Sequence, residues 1–75
     1  MTITKTLDAK GFACPLPVVR TKKAIDTINS GEVLEVLATD KGALSDIPAW
    51  AKSVGHTVLE QKKEEDVLYF YIQKA

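Results

Sequence analysis

The pattern of hydrophobic and polar positions predicts three elements in the first half of the chain. A short alternation over residues 2–8 indicates a strand, and apolar positions at helical spacing over 15–29 indicate a helix. The helix is expected to end at Ser30-Gly31, with Gly31 as its C-terminal cap. The apolar run in 32–39 then predicts a second strand that is central in the sheet.

The second half predicts one more helix and two more strands. A stripe of apolar residues at spacings of three and four marks the helix: Leu44, Ile47, Trp50, Ala51 and Val54. Because Pro48 interrupts this stripe, the regular helix is expected to begin near Asp46, with any earlier turn irregular or tight. Gly55 is expected to end it. Residues 56–62 and 67–73 are predicted strands on either side of a charged hairpin turn at 63–66.

The element order β-α-β-α-β-β predicts an α+β two-layer sandwich that forms a single domain over residues 1–75. Right-handed crossovers place both helices on one face of a four-stranded mixed sheet. In the last strand, the alternation predicts one face formed by Leu68, Phe70 and Ile72. The other face of the sheet, opposite the two helices, is expected to be open. Tyr69 and Tyr71 should lie on this open face with Leu37, and a partner or a long side chain should cover them.

The charge pattern narrows the classes of partner. The net charge is zero, but residues 1–31 carry +3 and residues 32–75 carry −3. The balanced total argues against direct nucleic-acid binding, which depends on neutralising many phosphates. A basic patch in the first half favours docking onto an acidic protein surface, and a merely solvated helix face is the alternative.

The rest of the composition limits the expected location of the protein and the groups that it can bind. No apolar run approaches the ~20 residues that span a bilayer, and the first residues lack signal-peptide features, so we expect a cytoplasmic protein without membrane insertion. One cysteine and one histidine predict no disulfide framework, no metal site and no cofactor. A monomer is expected.

Cys14, the single cysteine, is the candidate reactive group because it lies where the first strand pattern gives way to the first helix. The pattern places Cys14 at or near the N-cap, Pro15 at the first helical position and Pro17 at the third. The helix start should then lower the pKa of the thiol, moderately, since Pro17 offers no N–H to the sulfur. The alternative is a small buried hydrophobic residue.

The rest of the sequence limits what this thiol can do. A Cys-x-x-Cys redox cycle is excluded because there is no second cysteine. A hydrolase needs a base within reach, and nothing places His56, at the start of the third strand, beside Cys14. The remaining chemistry is a sulfur atom that other proteins load and unload.

Along nearly its whole length the chain resembles the TusA/SirA-like family of small sulfur carriers. The matching segments are Leu7-Asp8 with Gly11, the Cys-Pro-x-Pro motif Cys14-Pro15-Leu16-Pro17, Thr21-Lys22-Lys23, Gly31-Glu32, Thr39-Asp40, Asp46-Ile47-Pro48-Ala49-Trp50 and Gly55-His56. One departure is Lys41, where the family leads us to expect proline.

The resemblance implies the two-layer β-α-β-α-β-β sandwich also found in the C-terminal domain of bacterial translation initiation factor three. It further implies that Cys14 carries a persulfide received from a cysteine desulfurase or a rhodanese-type sulfur donor. The sulfur then passes to a downstream acceptor protein. Pathways open to such a carrier are tRNA thiolation, molybdenum-cofactor synthesis, sulfur oxidation and selenium metabolism.

The other candidate residues have supporting roles. Gly11 is expected to provide a backbone conformation that leads the chain into the helix, and Asp46 to cap the second helix. At least one of Lys22 and Lys23 should face the same surface as Cys14. Trp50 is expected in the core.

Two alternatives to a sulfur carrier stay open. A regulatory or adaptor module could use the same surface without sulfur transfer, and an RNA-binding domain is suggested by fold analogy alone. Whether the protein counts as an enzyme also stays open, because a carrier turns over no small substrate of its own.

Overall fold

The chain folds in the predicted element order, as seen in a computed structural model that describes residues 2–75. The elements are β1 (Lys5–Ala9), α1 (Leu16–Ile25), β2 (Val33–Ala38), α2 (Ala43–Ser53), β3 (Thr57–Glu64) and β4 (Val67–Gln73). The sheet order is β1-β2-β4-β3, with β1 parallel to β2 and β4 antiparallel to both of its neighbours. This arrangement confirms the predicted fold class. Met1, with which the predicted domain begins, lies outside the described residues.

The core lies between the sheet and the two helices, which pack against each other on one sheet face. Three side chains of β4 enter it, and each is at most 3% exposed: Leu68, Phe70 and Ile72. Ile25 from α1 and Ile47 from α2 meet them from the helix layer. The period-two alternation therefore identified the buried face of β4 correctly.

The first helix ends earlier than predicted, at Ile25 instead of residue 29. After it, the backbone N–H groups of Thr27 and Ile28 donate to the carbonyls three residues earlier. This 3₁₀-type spacing ends the α-helix. Ile28 is still buried, so it continues the apolar spacing without being helical. Gly31 has a φ of +85° but does not cap α1, because its N–H donates to the Lys74 carbonyl at 2.7 Å.

The second helix begins at Ala43, three residues before the predicted start. Its first turn is tight, as expected, because Ala43, Leu44 and Ser45 donate to carbonyls three residues back. Asp46 makes the first bond of α-helical spacing, to Gly42. Pro48 is accommodated inside the helix, which loses the hydrogen bond that its missing N–H would have made.

Gly55 ends α2 as predicted. Its φ is +87°, and its N–H donates to the Lys52 carbonyl while His56 donates to Ala51. This pair of bonds is a Schellman motif, in which glycine adopts the left-handed conformation without strain.

The strand boundaries differ from the prediction by one to three residues, except in β4, where they agree. β1 begins three residues later than expected and ends one later, and β3 extends two residues further, to Glu64. Glu64 pairs with Val67, which leaves only Glu65 and Asp66 in the hairpin turn.

The open face of the sheet carries the predicted tyrosines. Tyr69 pairs with Leu37 and Tyr71 with Glu35 across β2 and β4. A long side chain covers them, since the Lys62 ammonium lies 5.3 Å from the ring centre of Tyr69 and 5.8 Å from that of Tyr71. Tyr71 is consequently only 6% exposed, although both helices within residues 2–75 pack on the opposite face of the sheet.

Candidate functional site

The fold brings two loops together at one edge of the sheet. β1 and β2 are parallel, and the last residues of the two strands, Ala9 and Ala38, are paired. The loop of residues 10–15 that follows β1 therefore lies beside the loop of residues 39–42 that follows β2. In open sheets of this kind, sites form outside the carboxyl ends of parallel strands.

The first of these loops is fixed by a hydrogen bond to the second. Gly11 has a φ of +85°, a conformation that suits glycine, and its N–H donates to Oγ1 of Thr39 at 2.9 Å. The adjoining Phe12 N–H donates to the carbonyl of Ala9. Gly11 thus has the backbone role that the sequence suggested, turning the chain from β1 toward α1.

Cys14 lies in this loop with an exposed, free thiol. Its Sγ donates a hydrogen bond to Oδ2 of Asp46, with a distance of 2.9 Å between the two atoms. Its backbone N–H donates to Oδ2 of Asp40 at 3.0 Å. Asp40, in the loop after β2, and Asp46, in the first turns of α2, therefore both bind Cys14, although they are 26 and 32 residues away from it in the sequence.

The predicted helix start is wrong by one position, and this changes the contacts of the thiol. The N-cap is Pro15, the first helical residue is Leu16, and Pro17 occupies the second position, so Cys14 precedes the cap. No side chain caps α1. The sulfur is turned instead toward Asp46 on α2. Asp46 does not cap α2 either, because that helix begins at Ala43.

The expected lowering of the thiol pKa is also wrong. The pKa of Cys14 is raised, first because the thiol proton is hydrogen-bonded to Asp46. Partial desolvation and then the negative charges of Asp46 and Asp40 act in the same direction. A thiolate here would lose its hydrogen bond and lie against a carboxylate. The nearby acids therefore outweigh whatever the start of α1 contributes.

Gly42 is a site residue that the sequence did not indicate. A methyl group placed on it would lie 3.0 Å from Oδ2 of Asp40 and 3.7 Å from both Oδ2 of Asp46 and Cβ of Cys14. The absence of a side chain lets the start of α2 approach Cys14 and both acids closely. The signal that could have revealed Asp40 and Gly42 is their position just after a strand parallel to β1.

Pro17 has a structural role, since it is buried and its carbonyl accepts the hydroxyl of Thr21 at 2.6 Å. The outer surface of α1 near Cys14 is apolar, with Leu16 44% and Val19 41% exposed. Arg20 follows on this helix, and its guanidinium lies 4.7 Å from the ring centre of Phe12.

Lys22 and Lys23 are exposed in the last turn of α1, at the opposite end of the helix from Cys14. No contact joins either of them to Cys14. Lys23 instead lines a shallow groove with Lys5 and Arg20. That the lysines guide a partner stays a prediction.

His56 and Trp50 lie together at the far end of α2. Their ring centres are 5.5 Å apart, and Nδ1 of His56 accepts the N–H of Ala75 at 2.9 Å. The structure gives His56 no contact with Cys14. Trp50 is half-buried and packs against the core, so it is a core residue in part.

Two further features of the described residues bear on function. Among residues 2–75, no group of three or more His, Cys, Asp and Glu side chains is arranged to hold a metal ion. None of the helices in that range combines the length and the apolar character needed to cross a membrane.

Many known proteins are similar in sequence to this chain. The family model described as Sulfurtransferase TusA matches residues 5–74. The Bacillus subtilis protein YrkI is 62% identical over 71 residues, which are 95% of each chain. Sulfur carrier protein TusA of Allochromatium vinosum is 45% identical over 92% of this chain and 91% of its own.

A solved structure agrees with the fold. The crystal structure of a SirA-like protein from Desulfitobacterium hafniense superposes with a TM-score of 0.81 at 30% identity, covering 93% of this chain and 96% of the other.

Proposed function

Because the chain belongs to the TusA family of sulfurtransferases, we propose that it is a sulfur carrier whose Cys14 accepts, holds and passes on a persulfide sulfur. The observation that carries this proposal is the free, exposed thiol of Cys14 at the edge of the sheet. An exposed sulfur on a loop that two hydrogen bonds hold to the neighbouring loop can meet the active cysteine of another protein without the fold opening.

The proposed acceptance step is a sulfur transfer between two cysteines. The Cys14 sulfur, once deprotonated, attacks the outer sulfur of a persulfide on the donor. The donor's S–S bond breaks, and its inner sulfur leaves as a thiolate that takes up a proton. Cys14 ends as a persulfide and the donor as a thiol, so no external oxidant or reductant is needed. Delivery to the acceptor protein repeats the exchange, with Cys14 as the leaving group.

The surface around Cys14 supports docking of protein partners. Leu16 and Val19, two and five residues after Cys14, are 44% and 41% exposed and offer apolar contacts to a partner. The proposed donor is a cysteine desulfurase or a rhodanese-type protein, and the acceptor is a downstream protein in a relay such as tRNA thiolation. A cytoplasmic location fits this role, since a reducing compartment keeps a lone thiol free.

Intact mass measurement tests the proposal. Incubation with a cysteine desulfurase and cysteine should add the mass of one sulfur atom to the chain, and a reductant should remove it. Cys14→Ser is the matched control, because it replaces only the sulfur atom, and it should fold normally yet gain nothing. A serine variant that still acquires sulfur, or a wild type that never does, would exclude this function for Cys14. The adaptor alternative predicts instead that Cys14→Ser retains full activity in cells.

A further inference from the structure

Asp40 and Asp46 are two negative charges without a cation of their own. Within the part of the chain that the structure describes, the one ion pair shorter than 4.0 Å joins Lys62 to Glu64, on the other side of the sheet from the helices. Both aspartates are only half-buried, and both direct Oδ2 at Cys14. They are therefore accessible to a positively charged side chain brought by another protein.

The hydrogen bond from Cys14 to Asp46 opposes the chemistry that a carrier needs. Sulfur transfer requires a thiolate, because the thiol is a poor nucleophile. A thiolate at the observed Sγ position would lie 2.9 Å from a carboxylate oxygen and could no longer donate to it. The charged groups that face this thiol are Asp46 from α2 and Asp40 from the loop after β2, and both are acids. The site as folded thus holds an exposed sulfur in its unreactive form.

We propose that Asp46, assisted by Asp40, keeps the unloaded Cys14 protonated until a sulfur donor places a lysine or arginine against the two carboxylates. This inference rests on the proposed function. When the cation pairs with Asp46, the carboxylate repels a thiolate less, and the Cys14 proton leaves to solvent or to a base on the donor. The thiolate then attacks the donor's outer sulfur as described above, with the same balance of atoms and electrons.

The geometry favours arginine over other partners for this purpose. A guanidinium presents several N–H donors in one plane and can bond two carboxylate oxygens at once. Oδ2 of Asp40 and Oδ2 of Asp46 both lie against Cys14, so a single guanidinium at this point would contact both acids beside the reacting sulfur. The proposed donor therefore carries a basic side chain next to its persulfide cysteine.

Such a device would restrict reaction to the correct partner. An exposed thiolate reacts with oxidants and disulfides, and its susceptibility follows thiolate character and exposure. Cys14 is exposed, so burial does not protect it. Protonation by its neighbours provides the protection instead, and it ends only where a complementary charge is present.

Asp46→Asn tests the protonation part of the proposal directly. The amide keeps the size of the carboxylate but removes its charge, so the thiolate of Cys14 should form at lower pH. Alkylation with iodoacetamide, which is uncharged, should be at least about threefold faster at pH 7, because the larger thiolate fraction outweighs the lower intrinsic nucleophilicity. Asp66→Asn, an exposed acid in the β3–β4 turn, is the matched control and should leave the rate unchanged. An unchanged or slower rate in Asp46→Asn would overturn the proposal.

A second measurement tests the dependence on the donor. Asp46→Asn should react faster than the wild type with dithiodipyridine, an uncharged disulfide, but should accept sulfur from a cysteine desulfurase no faster and with a higher KM. Equal acceleration with both reagents would overturn the role of the cation. If the wild type gains no sulfur at all, the proposed function fails, and the alkylation rates still decide whether Asp46 protects Cys14. Should Asp46→Asn not fold, Asp40→Asn replaces it, with a smaller acceleration expected.

Discussion

The side chain of Asp40 and the backbone N–H of Cys14 are joined by a hydrogen bond of 3.0 Å between residues 26 positions apart. The bond links the loop after β2 to the loop after β1. It acts on the backbone of Cys14, whereas Asp46 acts on the sulfur. Asp40 therefore acts mainly on the position of the loop and Asp46 mainly on the reactivity of the thiol, to which the charge of Asp40 adds a smaller effect.

Asp40→Ala should loosen the loop of residues 10–15 with only a modest loss of stability. A hydrogen bond to a charged group that is partly exposed should contribute about 1 kcal/mol to the free energy of unfolding. Urea unfolding measures this loss, and amide hydrogen exchange should show faster exchange at Cys14. Asp66→Ala is the control. Unchanged protection of the Cys14 amide would contradict the bond.

Gly42→Ala should act through Asp40. The φ of Gly42 is −60°, which suits alanine, but the new methyl group would press on Oδ2 of Asp40 at 3.0 Å. We therefore expect an NMR shift of the Cys14 amide with a stability change below about 1 kcal/mol, typical of a substitution with opposing effects. In the Asp40→Ala background the shift should shrink, because the group that the methyl displaces is gone. Equal shifts in both backgrounds would rule out this coupling.

Trp50→Ala should destabilise the domain less than a fully buried tryptophan would. The indole packs against the core but is half-buried, so the cost should fall near or below the ~3 kcal/mol at the lower end for large aromatic residues. Denaturant unfolding measures the cost, and His56→Ala, which removes the neighbouring ring, is the comparison. If Trp50→Ala keeps full stability but loses sulfur acceptance, the tryptophan is a docking residue.

Tyr71 should make stability depend on alkaline pH. Burial first, and then the hydrogen bond from its hydroxyl to Glu35, raise the pKa of Tyr71. The folded state thus holds the phenol proton more tightly than the unfolded state. The resulting stabilisation is complete below the ordinary tyrosine pKa of about 10 and is lost as pH rises through the higher folded value.

Tyr71→Phe should therefore flatten the fall in stability above pH 10. Urea unfolding of both proteins between pH 8 and pH 11 provides the measurement. Tyr69→Phe, which removes the hydroxyl from the neighbouring tyrosine of the same face, is the matched control and should follow the wild type. A Tyr71→Phe curve parallel to the wild-type curve would show that this phenol does not contribute to the pH dependence.

Reversing the charges of Lys22 and Lys23 should slow sulfur acceptance from a protein donor. Both ammonium groups are exposed, so their effect should be long-range attraction, which salt screens within ~10 Å at 0.1 M. In high salt, the double glutamate variant and the wild type should accept sulfur at the same rate. The double variant Lys52→Glu with Lys63→Glu, at two exposed lysines outside α1, is the control for total charge. Rates that respond to neither change would leave the two lysines as an ordinary solvated surface.

Strong periodicity made much of the fold predictable from the sequence. In β4 the alternate residues Leu68, Phe70 and Ile72 form the core face as predicted, and the bounds of the strand also agree with the structure. Helix ends were less predictable, because apolar spacing does not distinguish a buried turn residue such as Ile28 from a helical one. A proline inside α2 also concealed its true start, because the helix begins five residues before Pro48 and continues through it with the loss of one hydrogen bond.

The surroundings of Cys14 were the least predictable part. Its place between β1 and α1 follows from local patterns, but its partners Asp40 and Asp46 come from segments 26 and 32 residues away. From local patterns alone, only the start of α1 bears on the thiol, and this predicts a lowered pKa. In the structure the N-cap of α1 is one residue later than predicted, and the hydrogen bond to Asp46 raises the pKa of Cys14 instead.

The reliance of Cys14 on distant neighbours makes its reactivity a reporter of folding. Asp40 and Asp46 adjoin the cysteine only when β1 and β2 are paired, so an unfolded chain has an ordinary thiol at this position. Most cysteines react faster on unfolding because they become exposed, but Cys14 is already exposed in the native state. The reaction rate of Cys14 would instead rise on unfolding because the thiol loses two negatively charged neighbours. A pulse of alkylating agent during refolding would then time the pairing of the two parallel strands.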